Sequence, residues 1–330
     1  MKSLTAALIF ALCSASTVLA RNTSTDTPTA TNEQLEETFR HVRDAASQGS
    51  VEDQFKLGVI YTNGRGVAPD KAQALAWFRK AADQGHAGAQ FNVGVLTYAA
   101  ENVVAGANTE ALGWFHKAAD RGFALAQHTL GNIYASGRGG IPRDDAEAVR
   151  WFRKAAEQGH AVSQAYLAKL YFDGRGVAQD DVEGTSWLRK AAAQGHALSQ
   201  VYLAARYGLG RGVEQDDRQA VRWYRAAAEQ GLAQGELGLG LKYLQGRGIA
   251  QDDAEAAKWF RKAADQGYDL AQYELGKLSL AGRGVERDQT KAREWLEKAA
   301  AQNHAEARKA LDSLKSGDTT GLQQFRLLTY

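Results

Sequence analysis

Residues 252–267 read Asp-Asp-Ala-Glu-Ala-Ala-Lys-Trp-Phe-Arg-Lys-Ala-Ala-Asp-Gln-Gly, and this stretch decides the fold. It returns along the chain. Trp77, Trp114, Trp151, Trp187, Trp223, Trp259 and Trp295, all the tryptophans of the protein, stand 36 or 37 residues apart. A period of that length marks stacked two-helix units, which bury their apolar faces only against their neighbours. Around Trp259 the apolar residues Ala256, Trp259, Phe260, Ala263 and Ala264 fall at i, i+3, i+4, i+7 and i+8, one face of a 3.6-residue helix. Asp252 or Asp253 is placed to cap the N-terminus, and Gly267 to close the C-terminus with a positive φ. Asn303 replaces that glycine in the last copy and tolerates the same conformation. The tryptophans are expected to be buried between helices.

Upstream of each tryptophan helix lies a second pattern. Gln54, Leu57, Gly58 and Tyr61 recur as Gln127, Leu130, Gly131, Tyr134 and as Gln200, Leu203, Ala204, Tyr207, and a small residue beside leucine lets two helices approach closely. Gly64-Arg-Gly66 ends that helix, with equivalents at 137–139, 174–176, 210–212, 246–248 and 282–284. The unit boundaries are 50–85, 86–122, 123–159, 160–195, 196–231, 232–267 and 268–303, with a half-repeat at each end. In the N-terminal half-repeat His41 stands where tryptophan would. An end helix has one neighbour fewer, so a polar residue there exposes less apolar surface. The second unit departs over Thr97–Asn108, which predicts either a longer first helix or a bulged loop.

The solenoid spans 33–315. Residues 1–20 have the layout of a secretory signal peptide: Lys2, an apolar run from Leu4 to Leu12, then small residues ending at Ala20. Cleavage there removes Cys13, the only cysteine, so the mature chain is stabilised by packing without disulfides. Residues 21–32 read as a disordered lead-in, and 316–330 as a short apolar tail containing Phe325, Leu327, Leu328 and Tyr330. An exported protein of a bacterium, periplasmic or secreted, is expected, with no membrane insertion of the mature chain. The formal charge of +2 gives no reason to invoke nucleic acid or an anionic membrane.

The pattern Ala-x-x-Gln-x-x-Leu-Gly-x-x-Tyr-x-x-Gly-Arg-Gly-Val, followed by Asp-x-x-x-Ala-x-x-Trp-Phe-Arg-Lys-Ala-Ala-x-Gln-Gly, closely resembles the Sel-one-like repeat family over roughly 34–314. That family is similar to the tetratricopeptide repeats. The resemblance implies an all-α, right-handed superhelix of antiparallel helix pairs, seven here with half-repeat caps, whose first helices line the concave side. It also implies a non-enzymatic adaptor or scaffold that holds protein partners. A cysteine-rich secreted branch of the family binds penicillin, so the resemblance implies a penicillin-interactive hydrolase as the alternative, although the cysteines of that branch are missing here.

Little in the sequence points to chemistry. His86, His160, His196 and His304 each follow the residue that closes a second helix, so they are about one unit apart and too far from one another to share a metal at about 2 Å. Arg65, Arg138, Arg175, Arg211, Arg247 and Arg283 form a ladder that either pairs with nearby acids or binds anions. The Asp-Asp pairs at 144–145, 180–181, 216–217 and 252–253 open helices, where capping explains them. Hydrolase, phosphate-loop, dinucleotide and zinc-protease motifs are missing from the sequence. Ser136, Ser163 and Ser199 are expected to be exposed and without an activating partner. No catalytic residue, cofactor or metal is therefore expected.

Counted from each unit-opening glycine, positions three, seven, ten and fourteen lie opposite the Gln, Leu, Gly and Tyr face. In the fourth unit these are Val162, Tyr166, Lys169 and Asp173; in the fifth, Leu198, Tyr202, Ala205 and Leu209. These positions are expected to point into the concave groove, and Tyr166, Lys169, Asp173, Tyr202, Arg206 and Lys242 are the candidate residues for binding a partner segment there. The two tyrosines serve either as anchors for a bound segment or as fillers between first helices.

Overall fold

A computed structural model describes residues 31–101, 108–137 and 140–316. The expected signal peptide, most of the expected lead-in, the C-terminal tail from 317, Arg138 and the centre of the second-unit departure lie outside the described residues. Among the described residues there are sixteen helices and no strand. The chain divides into two compact units at His160/Ala161, a border between repeats.

The first unit holds α1 (Asn32–Ser47) and three helix pairs: α2 (Val51–Asn63) with α3 (Lys71–Asp83), α4 (Ala87–Glu101) with α5 (Asn108–Asp120), and α6 (Ala124–Ser136) with α7 (Asp145–Glu157). The second holds four pairs: α8 (Ala161–Asp173) with α9 (Asp181–Ala193), α10 (Ala197–Leu209) with α11 (Asp217–Glu229), α12 (Ala233–Gln245) with α13 (Asp253–Asp265), and α14 (Asp269–Ala281) with α15 (Gln289–Ala301), closed by α16 (Ala305–Ser316). Within each unit every helix packs on the next, as an all-α solenoid requires. Helix α1 starts one residue before the predicted Glu33, because Thr31 and Gln34 form a capping box. In the second repeat the longer-helix alternative holds: α4 has 15 residues where its counterparts have 13.

The Asp-Asp pairs divide two tasks. Asp144, Asp180, Asp216 and Asp252 are N-caps, each accepting from two backbone N–H groups at 2.8–3.0 Å. The second aspartate, already inside the helix, makes ion pairs: Asp181 with Arg206, Asp217 with Lys242 and Arg247, Asp253 with Arg283. Arg247 and Arg283 belong to the arginine ladder, so at these positions pairing with acids accounts for it. For Asp253 the hydrogen bond from Arg283 holds the carboxyl below the usual range. For Asp217 burial works the other way, and Lys242 and Arg247 together overcome it.

The tryptophans are not the core they were expected to be. Trp151, Trp187 and Trp295 are buried, but Trp77, Trp114, Trp223 and Trp259 are half-buried. In six of the seven repeats the residue after the tryptophan does most of the filling: Phe78, Phe115, Phe152, Leu188, Phe260 and Leu296 are all buried, while Tyr224 after Trp223 is half-buried. In six repeats a lysine three residues on lies over the tryptophan ring at 3.7–4.1 Å from the centroid. A cation over an indole contributes about 0.5–1 kcal/mol at such sites, which favours leaving the ring at the surface. In the fifth repeat Ala226 takes the lysine position, and Arg222 approaches only to 5.8 Å.

Within each compact unit a ladder of buried amides ties most helix pairs to the helix before them. Gln54, Gln90, Gln127, Gln200 and Gln272 donate to the carbonyl eight residues earlier, in the last turn of the preceding helix, at 3.0–3.3 Å. The glutamine closing the second helix of the pair donates back to the amide oxygen at 2.7–3.0 Å, as Gln84 does to Gln54 and Gln302 to Gln272. Glu236 replaces the rung in the sixth repeat. It accepts from Gln266 at 2.8 Å, but an ionised carboxylate has no hydrogen for the Ala228 carbonyl. Burial raises its pKa. Glu236→Gln should therefore stabilise the protein by about 1 kcal/mol. With a raised carboxyl pKa the native state binds the proton more readily than the unfolded chain, so wild-type stability falls as pH rises from the ordinary carboxylate range through the raised value. The gain from the substitution should then be larger at pH 7 than at pH 4. Urea unfolding of both proteins at the two pH values checks this, and a gain that is equal at both, or absent, contradicts it.

Candidate functional site

Outside the second repeat, each first helix ends on a glycine in the left-handed conformation, and its Gln and Leu face is turned inward by the ladder and the core. Since consecutive residues turn by about 100°, positions three, seven and fourteen of the fourth and fifth repeats point away from that packing. Val162 and Tyr166 on α8 are exposed, as are Leu198, Tyr202 and Leu209 on α10, with Tyr166 43% and Tyr202 56% accessible. Val182, at the start of α9, adds to them and was not singled out from the sequence, because it sits on a second helix. These six are all the large exposed hydrophobic residues among the described residues. Lys169 and Asp173 are exposed on α8 and pair with each other at 2.8 Å.

Arg206 and Lys242 do not belong to this face. They stand at position eleven, one residue past the outward slot, and the extra turn directs them into the contact with the preceding second helix. Lys242 is 8% accessible and donates to Asp217 at 2.6 Å. Arg206 pairs with Asp181 at 2.8 Å and lies over the Phe172 ring at 3.6 Å. Both charges are spent inside the stack. Lys277, at position ten of the seventh repeat, is buried against Glu274 at 3.0 Å. Phe172 has room because the second helix opposite carries Gly184 where other repeats carry alanine; a Cβ there would come within 2.4 Å of its ring.

The repeat-phase histidines are structural. His86 and His304 accept a first-turn backbone N–H at Nδ1 and stack on Phe55 and Tyr273, with ring centroids 4.4 and 4.6 Å apart. His160 does approach another histidine, His128, at 4.8 Å between centroids. His128 is outside the repeat phase, which is why spacing alone did not pair them. Burial, with His160 adding to it, pushes His128 down to about 3. Among the described residues no three potential ligands converge.

Two of the three serines differ from their reading in the sequence. Ser163 and Ser199 are buried, and Ser199 has a partner: its Oγ lies 2.7 Å from His196 Nδ1. The pair resembles a nucleophile and base only in composition. Nδ1 also accepts the Ser199 backbone N–H, which makes His196 a helix cap, and Ser199 presents no accessible surface to a substrate. Ser136 is exposed and donates to the Asn132 carbonyl.

The structure of a protective antigen present in uropathogenic Escherichia coli strains, displaying an SLR fold, matches with a TM-score of 0.78 and 35% identity, over 84% of this chain. The match covers 59% of that antigen, so this chain spans about three fifths of its length. A Sel1 repeat protein from Oxalobacter formigenes matches with a TM-score of 0.66 and 37% identity, over 87% of this chain and 83% of that one. No curated protein matches. The Sel1 repeat profile matches seven times without a gap, at 51–86, 87–123, 124–160, 161–196, 197–232, 233–268 and 269–304. These spans coincide, to one residue, with the helix pairs that the ladder and the glycine caps delimit, and the chain belongs to the Sel1 repeat family.

Proposed function

We propose that this protein is a non-enzymatic scaffold that grips a segment of a partner protein on the exposed face of α8 and α10. Sel1 repeat proteins are generally protein-interaction scaffolds. The observation that supports a particular surface is the confinement of Val162, Tyr166, Val182, Leu198, Tyr202 and Leu209 to residues 162–209. Apolar surface gathered in one place and rimmed by a polar pair, here Lys169 and Asp173, is what contact sites use; scattered apolar residues are ordinary. Tyr166 and Tyr202 occupy the same slot in neighbouring repeats and offer rigid amphipathic anchors. A segment with apolar side chains is the fitting partner.

Crosslinking in the native compartment identifies the partner, and its affinity is then measured against variants. Tyr166→Ala and Tyr202→Ala should each weaken binding by about 1–3 kcal/mol. Thermal unfolding should be nearly unchanged, because both rings are exposed. An unchanged affinity in the double variant would remove this face from consideration. The proposal places the scaffold outside the bacterial cytoplasm, on the strength of residues 1–20. Mass spectrometry should then find a mature chain beginning at Arg21, whereas an intact Met1 on cytosolic protein refutes export.

A further inference from the structure

In six repeats the glutamine that closes the second helix donates to the buried rung of the first: Gln84, Gln158, Gln194, Gln230, Gln266 and Gln302 all do so. The second repeat carries Arg121 at that position. There the rung is broken. Gln90 is 4% accessible and donates to the Ala82 carbonyl, but its Oε1 is buried without a partner. The longer arginine overshoots the amide, and its guanidinium lies over Gly85, 3.0 Å from where a Cβ would stand. It makes no hydrogen bond or ion pair among the described residues. Gln90 and Arg121 line one cleft of about 500 Å³, together with Trp114, Lys117, Asp83 and Asp120. Lys117 is held over the Trp114 ring at 3.8 Å.

A buried acceptor lacking a hydrogen and an unpaired guanidinium in the same cleft ask for complementary groups. An inorganic anion would serve Arg121 and leave Gln90 unsatisfied. An amine alone would serve Gln90 and leave Arg121 without a partner. We infer that the cleft binds a carboxylate that carries an N–H on the adjacent carbon, as in a free α-amino acid or the C-terminal residue of a peptide. The carboxylate takes the planar fork of Arg121, and the N–H supplies the missing donor to Gln90 Oε1. Because Oε1 is closed to solvent, Arg121, exposed and unpaired, moves aside as the ligand enters. The two sources differ at Asp83 and Asp120, which can hold the ammonium of a free amino acid and have no role for an acylated one. The inference is independent of the apolar face of α8 and α10, which lies in the other compact unit.

The test titrates the full chain, by calorimetry and amide chemical shifts, with alanine, N-acetylalanine and alaninamide. Alanine or N-acetylalanine should bind, and alaninamide at least tenfold more weakly. Stronger binding of alanine, reduced by Asp83→Asn with Asp120→Asn, identifies the free amino acid; stronger binding of N-acetylalanine, untouched by those changes, identifies a peptide terminus. Arg121→Gln restores the rung and removes the fork, so it should raise the thermal midpoint and abolish binding. Arg121→Ala should abolish binding without that rise. Alaninamide binding as well as the acids, no binding of either acid, or binding that survives Arg121→Gln overturns the inference.

Discussion

Phe260→Ala should lower the stability of the protein by about 3–5 kcal/mol, the largest single loss expected from any side-chain truncation in the second compact unit. Phe260 has no accessible surface and sits in a cluster with Leu237, Ala256, Ala263, Leu275 and Trp295. The helix opposite carries Gly240, whose missing Cβ is what lets the ring in: one built there would stand 2.6 Å from Cε1. Removing the ring therefore leaves a cavity walled on one side by the bare backbone of Gly240, which has no side chain to fill it. Large residual cavities give the upper part of the range. Equilibrium unfolding in urea measures the loss. Trp259→Ala is the informative comparison, since the half-buried indole should cost less than the phenylalanine beside it. The reverse order would contradict the assignment of the core to the residue after the tryptophan.

Gly284→Ala should cost about 2–6 kcal/mol, combining roughly 1–3 for a non-glycine residue in strained backbone with roughly 1–3 for overpacking. Gly284 has φ +68, and a Cβ would stand 2.0 Å from the Asp253 carbonyl oxygen. That oxygen belongs to the first turn of α13, in the preceding repeat, and Arg283 beside it pairs with the Asp253 carboxylate at 2.8 Å. The Gly-Arg-Gly turn is thus a docking element: the first glycine closes its own helix, the arginine reaches back to the acid, and the second glycine lies flat on the earlier helix. Gly267 separates the contributions. Its φ is +88 but nothing lies within 4 Å of its missing Cβ, so Gly267→Ala should show the backbone cost alone. Thermal and urea unfolding of the two variants should differ clearly, and equal losses would mean that the close approach to Asp253 contributes nothing.

The repeat could be read without coordinates because its signals are local. A 36-residue recurrence of tryptophan, apolar residues at helical spacing, aspartate before each second helix and glycine after it are matters of backbone geometry and capping, and each is decided within a few residues. Even Asn303, with φ +72 the one non-glycine residue of positive φ among the described residues, followed from that rule. The exposed positions of α8 and α10 were legible for the same reason, since a helix with one face committed to packing must turn its other face outward.

Arg206 and Lys242 mark where that reasoning stopped. They differ from an outward residue by a single step of about 100°, and whether such a side chain reaches solvent or a carboxylate depends on what the preceding repeat presents to it. Asp181 and Asp217 decided the matter, and they lie 25 residues upstream in each case. The tryptophans misled in a similar way, because hydrophobicity says that a ring seeks cover without saying that a lysine three residues on can supply part of it. The broken rung at Gln90 was visible as Arg121 in place of glutamine, but its meaning appeared only when the other six rungs were seen to be bonded. Sequence by itself determined the helices, their caps and the order in which they stack, through interactions that close within one or two turns. Tertiary structure alone decided which side chains are core, which charges are consumed and which acceptor is left open, because those outcomes depend on partners a whole repeat away.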